Sequence, residues 1–383
     1  MFQSFPLSFS YSKLLSLKKS RLETEIETTL SEKNDGTISS AAGTLAPIRA
    51  PPQTKARRVL KGHFGKITAI HWGGDSRSLV SASQDGNLLL WNAITTNKLK
   101  SISLKSSYVM SVGLEQTKGN MIACGGLDNL CTIYRLSQGS MNSSGSDGPT
   151  HAAHEMASHD GFISCCRFLS QQHIVTSSGD STCIRWDIPS GRVLESFKEH
   201  EETTMFLSLK PNDPNVFASC SVDKTVKIWD IRTPDKSTMT FSGHLGDVNG
   251  VDFMKSDGYA FATCSNDETV RLWDMRSYQE VARFGTATEP DAFDPTPGFT
   301  SVALSKSGRL IFCAHANSNV MAYDILAGDR TSDPSFTLNR AHDSYISCLG
   351  VSPDGAALCT GSWDNNVKVR PSLYCIRHLF YWF

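Results

Sequence analysis

Residues 173–186 read HIVTSSGDSTCIRW, and residues 260–273 read AFATCSNDETVRLW. Each alternates apolar with polar side chains, breaks at a Gly-Asp or Asn-Asp turn, and resumes the alternation up to a Trp. That is the pattern of two short antiparallel strands. The two stretches also share an internal spacing. An Asp stands six positions before the Trp (Asp180, Asp267), and a Thr stands ten positions before it (Thr176, Thr263).

Carried along the chain, this spacing gives seven stations, at Trp91, Tyr134, Trp186, Trp229, Trp273, Tyr323 and Arg370, 43 to 52 residues apart. Six positions before them come Asp85, Asp128, Asp180, Asp223, Asp267, Asn317 and Asp364. Ten before come Ser81, Cys124, Thr176, Ser219, Thr263, Cys313 and Thr360. His63, His159, His200, His244 and His342 lie 27 to 29 residues ahead of their stations. A fixed period with constant internal offsets means a repeat fold, with about four short strands in each unit.

The polar set has a physical reason. Asp accepts from His, the imidazole meets the Ser or Thr hydroxyl, and the hydroxyl accepts from the indole N–H of Trp, so one chain of bonds ties a loop to several strands. The same residue types also make a hydrolase triad. A catalytic site is built once, however, and this set recurs in four complete copies ending at Trp91, Trp186, Trp229 and Trp273, so structural staples are expected and no catalytic residue is assigned. The last unit departs from the pattern. Arg370 has no indole to offer, a large charged head is costly in a strand-packed interior, and Thr360 is expected to lose its usual partner.

Composition limits the function. Across 383 residues, 37 basic and 38 acidic side chains leave a net charge of −1, which gives no field to hold nucleic acid. The 11 cysteines are scattered without a C-x-x-C pair, which fits neither a disulfide framework nor a zinc module, and neither a metal nor a cofactor is expected. No stretch approaches the roughly 20 apolar residues that cross a bilayer. The first 22 residues carry four bases and no acid, a composition shared with presequences, but acids begin at Glu23 without an evident processing break. No Gly-Lys-Ser phosphate loop is present.

The motifs Gly62-His63, Gly243-His244, Trp186-Asp187, Trp229-Asp230 and Trp273-Asp274 resemble those of the WD-repeat family. A member with seven such units is a closed, all-β, seven-bladed propeller. Within that family SASQDG, CGGLDN, SCCRFL, SKSGRL and TGSWD, in this order, are similar to the β subunits of heterotrimeric G proteins. The resemblance implies a non-catalytic subunit that pairs with a γ subunit and reversibly binds Gα and effectors in transmembrane receptor signalling. It places the protein in the cytoplasm and at the cytoplasmic face of the plasma membrane, held there through lipidated partners. The alternative is a cytosolic WD-repeat scaffold or substrate-receptor adaptor outside the G-protein cycle.

The same resemblance sets the organisation. Residues 1–56 form an N-terminal arm, with a helix near 12–33 followed by a linker, 57–371 the propeller, and 372–383 an apolar tail. The arm's imperfect heptad seam, with Leu15, Leu22 and Ile26, is expected to hold γ. Arg57-Arg58-Val59-Leu60 is expected to complete the last blade. Contact positions for Gα and effectors fall on Phe64, Lys66, Asn87, Leu89, Lys98, Ser107, Tyr108, Met110, Leu127, Asn129, Phe162, Met205, Asp247, Asn249 and Trp363. Trp363 is the strongest of these, because it is separate from the stapling station.

Thr68, Tyr108, Thr203 and Asn266 depart from the aromatic or acidic groups usual in that family, which implies a shifted choice of partner. The fourth unit, opening EHEETTMFLSL, and the sixth, with Ala316 and Asn317, are expected to be looser. Two segments, 137–155 and 285–300, read as loop inserts between units, and Ser143, Ser144 and Ser146 as candidate phosphorylation sites.

Overall fold

The computed structural model describes residues 56–136, 151–285, 298–327 and 333–372. The arm and its helix, Leu15, Leu22, Ile26, the three candidate serines and the tail beyond residue 372 lie outside them.

Seven four-stranded antiparallel sheets follow one another around a ring. In blade 1 the strands are Ile67–Trp72, Ser78–Ser83, Asn87–Asn92 and Lys98–Ser103, from the innermost outward. The second strand of each blade is almost wholly buried, because it is covered by neighbouring blades on both faces. Ser78–Ser83, Met121–Gly126, Val216–Ser221, Ala260–Ser265 and Ala357–Ser362 are buried at every position. Small residues there (Ala, Ser, Gly, Cys) let the sheets approach, and the core consists of separate clusters between adjacent blades rather than one central mass.

The ring closes as expected from both ends of the described chain. Arg58–Lys61 is the outer strand of blade 7, paired antiparallel with Asn366–Val369. Leu60 is 1% exposed and packs with Trp91, Val367 and Val369. Across the same seam Ser347 Oγ donates to Ile67 O at 2.6 Å, and Trp72 Nε1 donates to Gly350 O at 3.1 Å.

The inner strands share one irregularity. In all seven blades a bulge falls at the second residue, so that the side chain is re-aimed toward the channel and the next blade. Four of these residues bind the neighbouring inner strand: Ser164 Oγ donates to Thr204 O, Asn249 Nδ2 to Phe299 O, Thr300 Oγ1 to Ile346 O, and Ser347 Oγ to Ile67 O. Blades 2 and 4 carry Met110 and Met205 instead.

Two expectations about the connections change. Ala152–Ala157 is the outer strand of blade 2, so the first insert lies inside a blade and its last residues are sheet. Blade 4 keeps a complete staple despite its altered start. Blade 6 does lack one. Tyr323 is 2% exposed with its hydroxyl 3.5 Å from Met321 Sδ, and an ion pair ties Arg309, in the turn before the second strand, to Asp324 at the end of the third.

Candidate protein-interaction face

Alternating strand directions put the links from one blade's outer strand to the next inner strand on the same face as the turns between second and third strands. We call this the upper face. The staples fix those two sets of loops to each other. In blade 1 His63 Nδ1 lies 2.9 Å from Asp85, His63 Nε2 lies 2.7 Å from Ser81 Oγ, and Trp91 Nε1 donates to that hydroxyl at 2.8 Å. The same chain runs through His159, Asp180, Thr176 and Trp186. It recurs through His200, Asp223, Ser219 and Trp229, and through His244, Asp267, Thr263 and Trp273. Each Asp also accepts the backbone N–H that follows its His, as with Phe64 N at 2.9 Å and Leu245 N at 2.9 Å.

Blade 7 holds a fifth staple, which corrects the reading of Arg370. His342 bonds Asp364 and Thr360 at 2.8 Å each, and Arg370 Nη1 donates to Thr360 Oγ1 at 3.0 Å while Nη2 donates to Ala341 O at 2.7 Å. A guanidinium thus reaches the hydroxyl that the indole serves elsewhere. Burial lowers its pKa to about 10, opposed by Asp364.

Burial alone would raise the acidic pKa values, but hydrogen bonds from His and from nearby Thr or backbone N–H groups outweigh it. Asp180, Asp223 and Asp267 sit well below the usual carboxylate range, and Asp364 falls to about 2. In His63, His244 and His342 burial wins over the carboxylate and lowers the imidazole pKa. Neutral imidazole suits the geometry: Nδ1–H donates to Asp, and Nε2 accepts from the hydroxyl. The staple hydroxyls Ser81, Thr176, Ser219, Thr263 and Thr360 are all 0% exposed, so none is a nucleophile that substrate can reach.

Held by these staples, the upper face presents large apolar side chains to solvent. Phe64 is 89% exposed, Tyr108 57%, Leu127 54%, Met110 42% and Trp363 39%. Trp363 has two partners: Lys66 Nζ sits 3.9 Å from its ring centroid, and the Tyr345 ring lies 4.5 Å away, tilted 37°. Met110, Phe162, Met205 and Trp363 rim the channel mouth. Around blades 3 to 5 the exposed acids Asp160, Glu201 and Glu202 precede the inner strands, and half-buried Asp247 does likewise.

Not every candidate is presented. Leu89 is 2% exposed and packs in the core with Leu60 and Trp91, so it offers no contact surface. Asn249 is half-buried and engaged within the ring, donating to Asn266 Oδ1 at 2.7 Å and Phe299 O at 2.8 Å. Asn266 in turn reaches Asp247 Oδ2 at 3.3 Å. Asn129 donates to Asp160 O, and Asn87 accepts from Ser103 Oγ. Lys98 lies along the outer flank of blade 1, its Nζ 5.9 Å from the Trp91 ring centroid. Ser107 is exposed beside Tyr108.

Tyr345 and Leu245 were missed. Tyr345 stands one position before its inner strand, as Lys66, Tyr108, Phe162 and Asp247 do before theirs, so the repeat register marks it. Leu245, 39% exposed, follows His244 as Phe64 follows His63.

The sequence model of a family described as "G protein beta WD-40 repeat protein" matches residues 12–371. A "Guanine nucleotide-binding protein subunit beta" of Arabidopsis thaliana is 39% identical over 320 residues, 82% of each chain. One of Zea mays is 36% identical over 349 residues, 89% of this chain and 90% of the relative. A "subunit beta-2" of Nicotiana tabacum is 37% identical over 334 residues, 85% and 86% of the two chains. With its closed ring of seven blades and a match that spans them all, the chain belongs to the G protein β WD-40 repeat family.

Proposed function

We propose that the protein is the non-catalytic β subunit of a heterotrimeric G protein, which pairs with a γ subunit and binds Gα and effectors in turn through its upper face. The observation that carries this reading, beside family membership, is Trp363 with its contacts to Lys66 and Tyr345. A large aromatic in contact with Lys66 and Tyr345, on a face that also exposes Phe64, Tyr108, Met110 and Leu127, has the composition of an interface core. Its position is fixed before any partner arrives, which lowers the ordering cost of association.

The acids on blades 3 to 5 favour a partner element that is basic on that side and apolar on the side facing Trp363. Thr203 stands within that arc and Asn266 beside it without charge, so this chain prefers a Gα with fewer basic groups there than one suited to carboxylates at both positions. No helix among the described residues is long and apolar enough to cross a membrane. Attachment at the cytoplasmic face of the plasma membrane is assigned to lipids on the partners.

Capture of the full chain, co-expressed with γ, on immobilised GDP-bound Gα tests the surface. Trp363→Ala and Lys66→Ala should each weaken capture about tenfold or more with an unchanged melting temperature. Undiminished affinity in both variants would remove the surface assignment.

A further inference from the structure

The fifth residues of the seven inner strands form a ring near the lower end of the channel: His71, Gly113, Arg167, Ser208, Asp252, Ala303 and Gly350. Four of them bind a neighbouring blade through their side chains. His71 Nδ1 accepts from Leu114 N at 2.9 Å, Arg167 Nη1 donates to Val112 O at 3.1 Å, Ser208 Oγ lies 3.4 Å from Phe253 N, and Asp252 Oδ2 accepts from Leu304 N at 2.9 Å. The channel they line has a volume of about 710 Å3, and its formally charged lining groups are Arg167, Asp252 and Lys255.

The hydrogen-bond accounting leaves donors over. Because Leu114 N occupies His71 Nδ1, the proton of the neutral ring sits on Nε2. Arg167 donates only through Nη1, to Val112 O and Cys166 O, and its guanidinium lies 5.0 Å from the Phe206 ring centroid, which leaves Nε and Nη2 without acceptors among the described residues. Lys255 makes no hydrogen bond or ion pair among the described residues. Its influence on both His71 and Asp252 places it within electrostatic range of the ring. The only carboxylate of the lining among the described residues, Asp252, has one oxygen committed to Leu304 N. Among the described residues two cations stand against one anion at the lower mouth, and Ala303 and Gly350 keep the wall opposite Arg167 free of bulk.

We infer that the lower mouth of the channel, between Arg167, Lys255 and His71, is a binding site for a small soluble anion bearing phosphoryl groups. The guanidinium offers a planar pair of donors suited to phosphate, Lys255 a mobile charge, and the His71 N–H a neutral donor. Inside the channel, charges are screened less than at an open surface, so two cations act strongly on a dianion. The site lies at the other end of the channel from the Trp363 cluster, so an anion there leaves the upper face open to a protein partner.

Inorganic pyrophosphate titrated into the full chain by calorimetry tests this. One equivalent is expected to bind, with Lys255→Gln weakening affinity about tenfold and Asp252→Asn tightening it severalfold. Melting temperatures should stay within a degree or two, since Asn at 252 still accepts from Leu304 N. Arg167→Lys, which keeps the charge and loses the fork, should weaken binding even where it disturbs the bond to Val112. Absent binding, several equivalents bound alike by all variants, or binding only to phosphoinositide-containing vesicles would each overturn the site.

Discussion

The Arg370 guanidinium donates to Thr360 Oγ1 at 3.0 Å, from the sequence position at which Trp91, Trp186, Trp229 and Trp273 donate an indole N–H to the equivalent hydroxyl. One bond is conserved in geometry while its donor changes from neutral to charged. The exchange has a cost: Arg370 is 6% exposed, its Nε lacks a partner among the described residues, and Asp364, the carboxylate that acts on it, already serves His342.

Arg370→Trp is therefore expected to stabilise the ring by about 1–3 kcal/mol, because an apolar-bodied neutral donor replaces an incompletely paired buried cation. Arg370→Ala should destabilise it by a similar amount, leaving Thr360 and Ala341 short of a donor. Urea unfolding measures both, and a Trp variant less stable than the parent would contradict this account of blade 7.

The staples predict a response to acid. The folded-state pKa values of His63, His244 and His342 are lowered, so below pH 6.5 the unfolded chain takes up protons first and stability falls with pH. The carboxylates of Asp85, Asp180, Asp223, Asp267 and Asp364 are also lowered. Their contribution is present above pH 3.8 and is lost as pH falls toward the folded values. Urea midpoints between pH 7.5 and 3 should decline in two stages; a midpoint unchanged from pH 7.5 to 4.5 would refute the neutral-imidazole arrangement.

Replacing one staple hydroxyl, as in Ser81→Ala, Thr176→Val, Ser219→Ala or Thr263→Val, should lower stability by about 1–3 kcal/mol, with similar losses in all four blades. Each change strands a His nitrogen and an indole N–H in a dry interior. Thermal unfolding distinguishes this from a single special copy, which would make one variant behave unlike the other three.

Closure can be tested at Leu60. Leu60→Asp places a carboxylate against Trp91, Val367 and Val369 and should cost several kcal/mol. Unfolding should then begin at blade 7, seen as early loss of amide-exchange protection in 346–351 and 366–369. Uniform loss of protection around the ring would argue against a closing seam at that point.

Much of this was legible in the sequence because repetition makes spacing visible. The offsets from each Trp locate four staples, and the resemblance to the family supplies the closing strand. What escaped was geometry that residue type does not encode. Arg370 was judged by the indole it lacks, whereas reach and donor direction decide the bond. Leu89 was placed on the surface by its motif, but blades are covered on both faces and alternation there no longer separates core from solvent. The bulge that makes Asn249 a blade-to-blade link, and frees Met110 and Met205 to face the channel mouth, leaves no mark in hydrophobic pattern. Tyr345 was readable from its register with Lys66 and Phe162.

The central claim is that the upper face is a Gα surface whose occupancy follows nucleotide state. Its most direct test is the affinity of the full chain, complexed with γ, for Gα loaded with GDP and with a non-hydrolysable GTP analogue. The account predicts tight binding to the GDP form, at least about a hundredfold weaker binding to the triphosphate form, and loss of the difference in Trp363→Ala. Equal affinity for the two forms, or no binding to either by a folded γ complex, would contradict it.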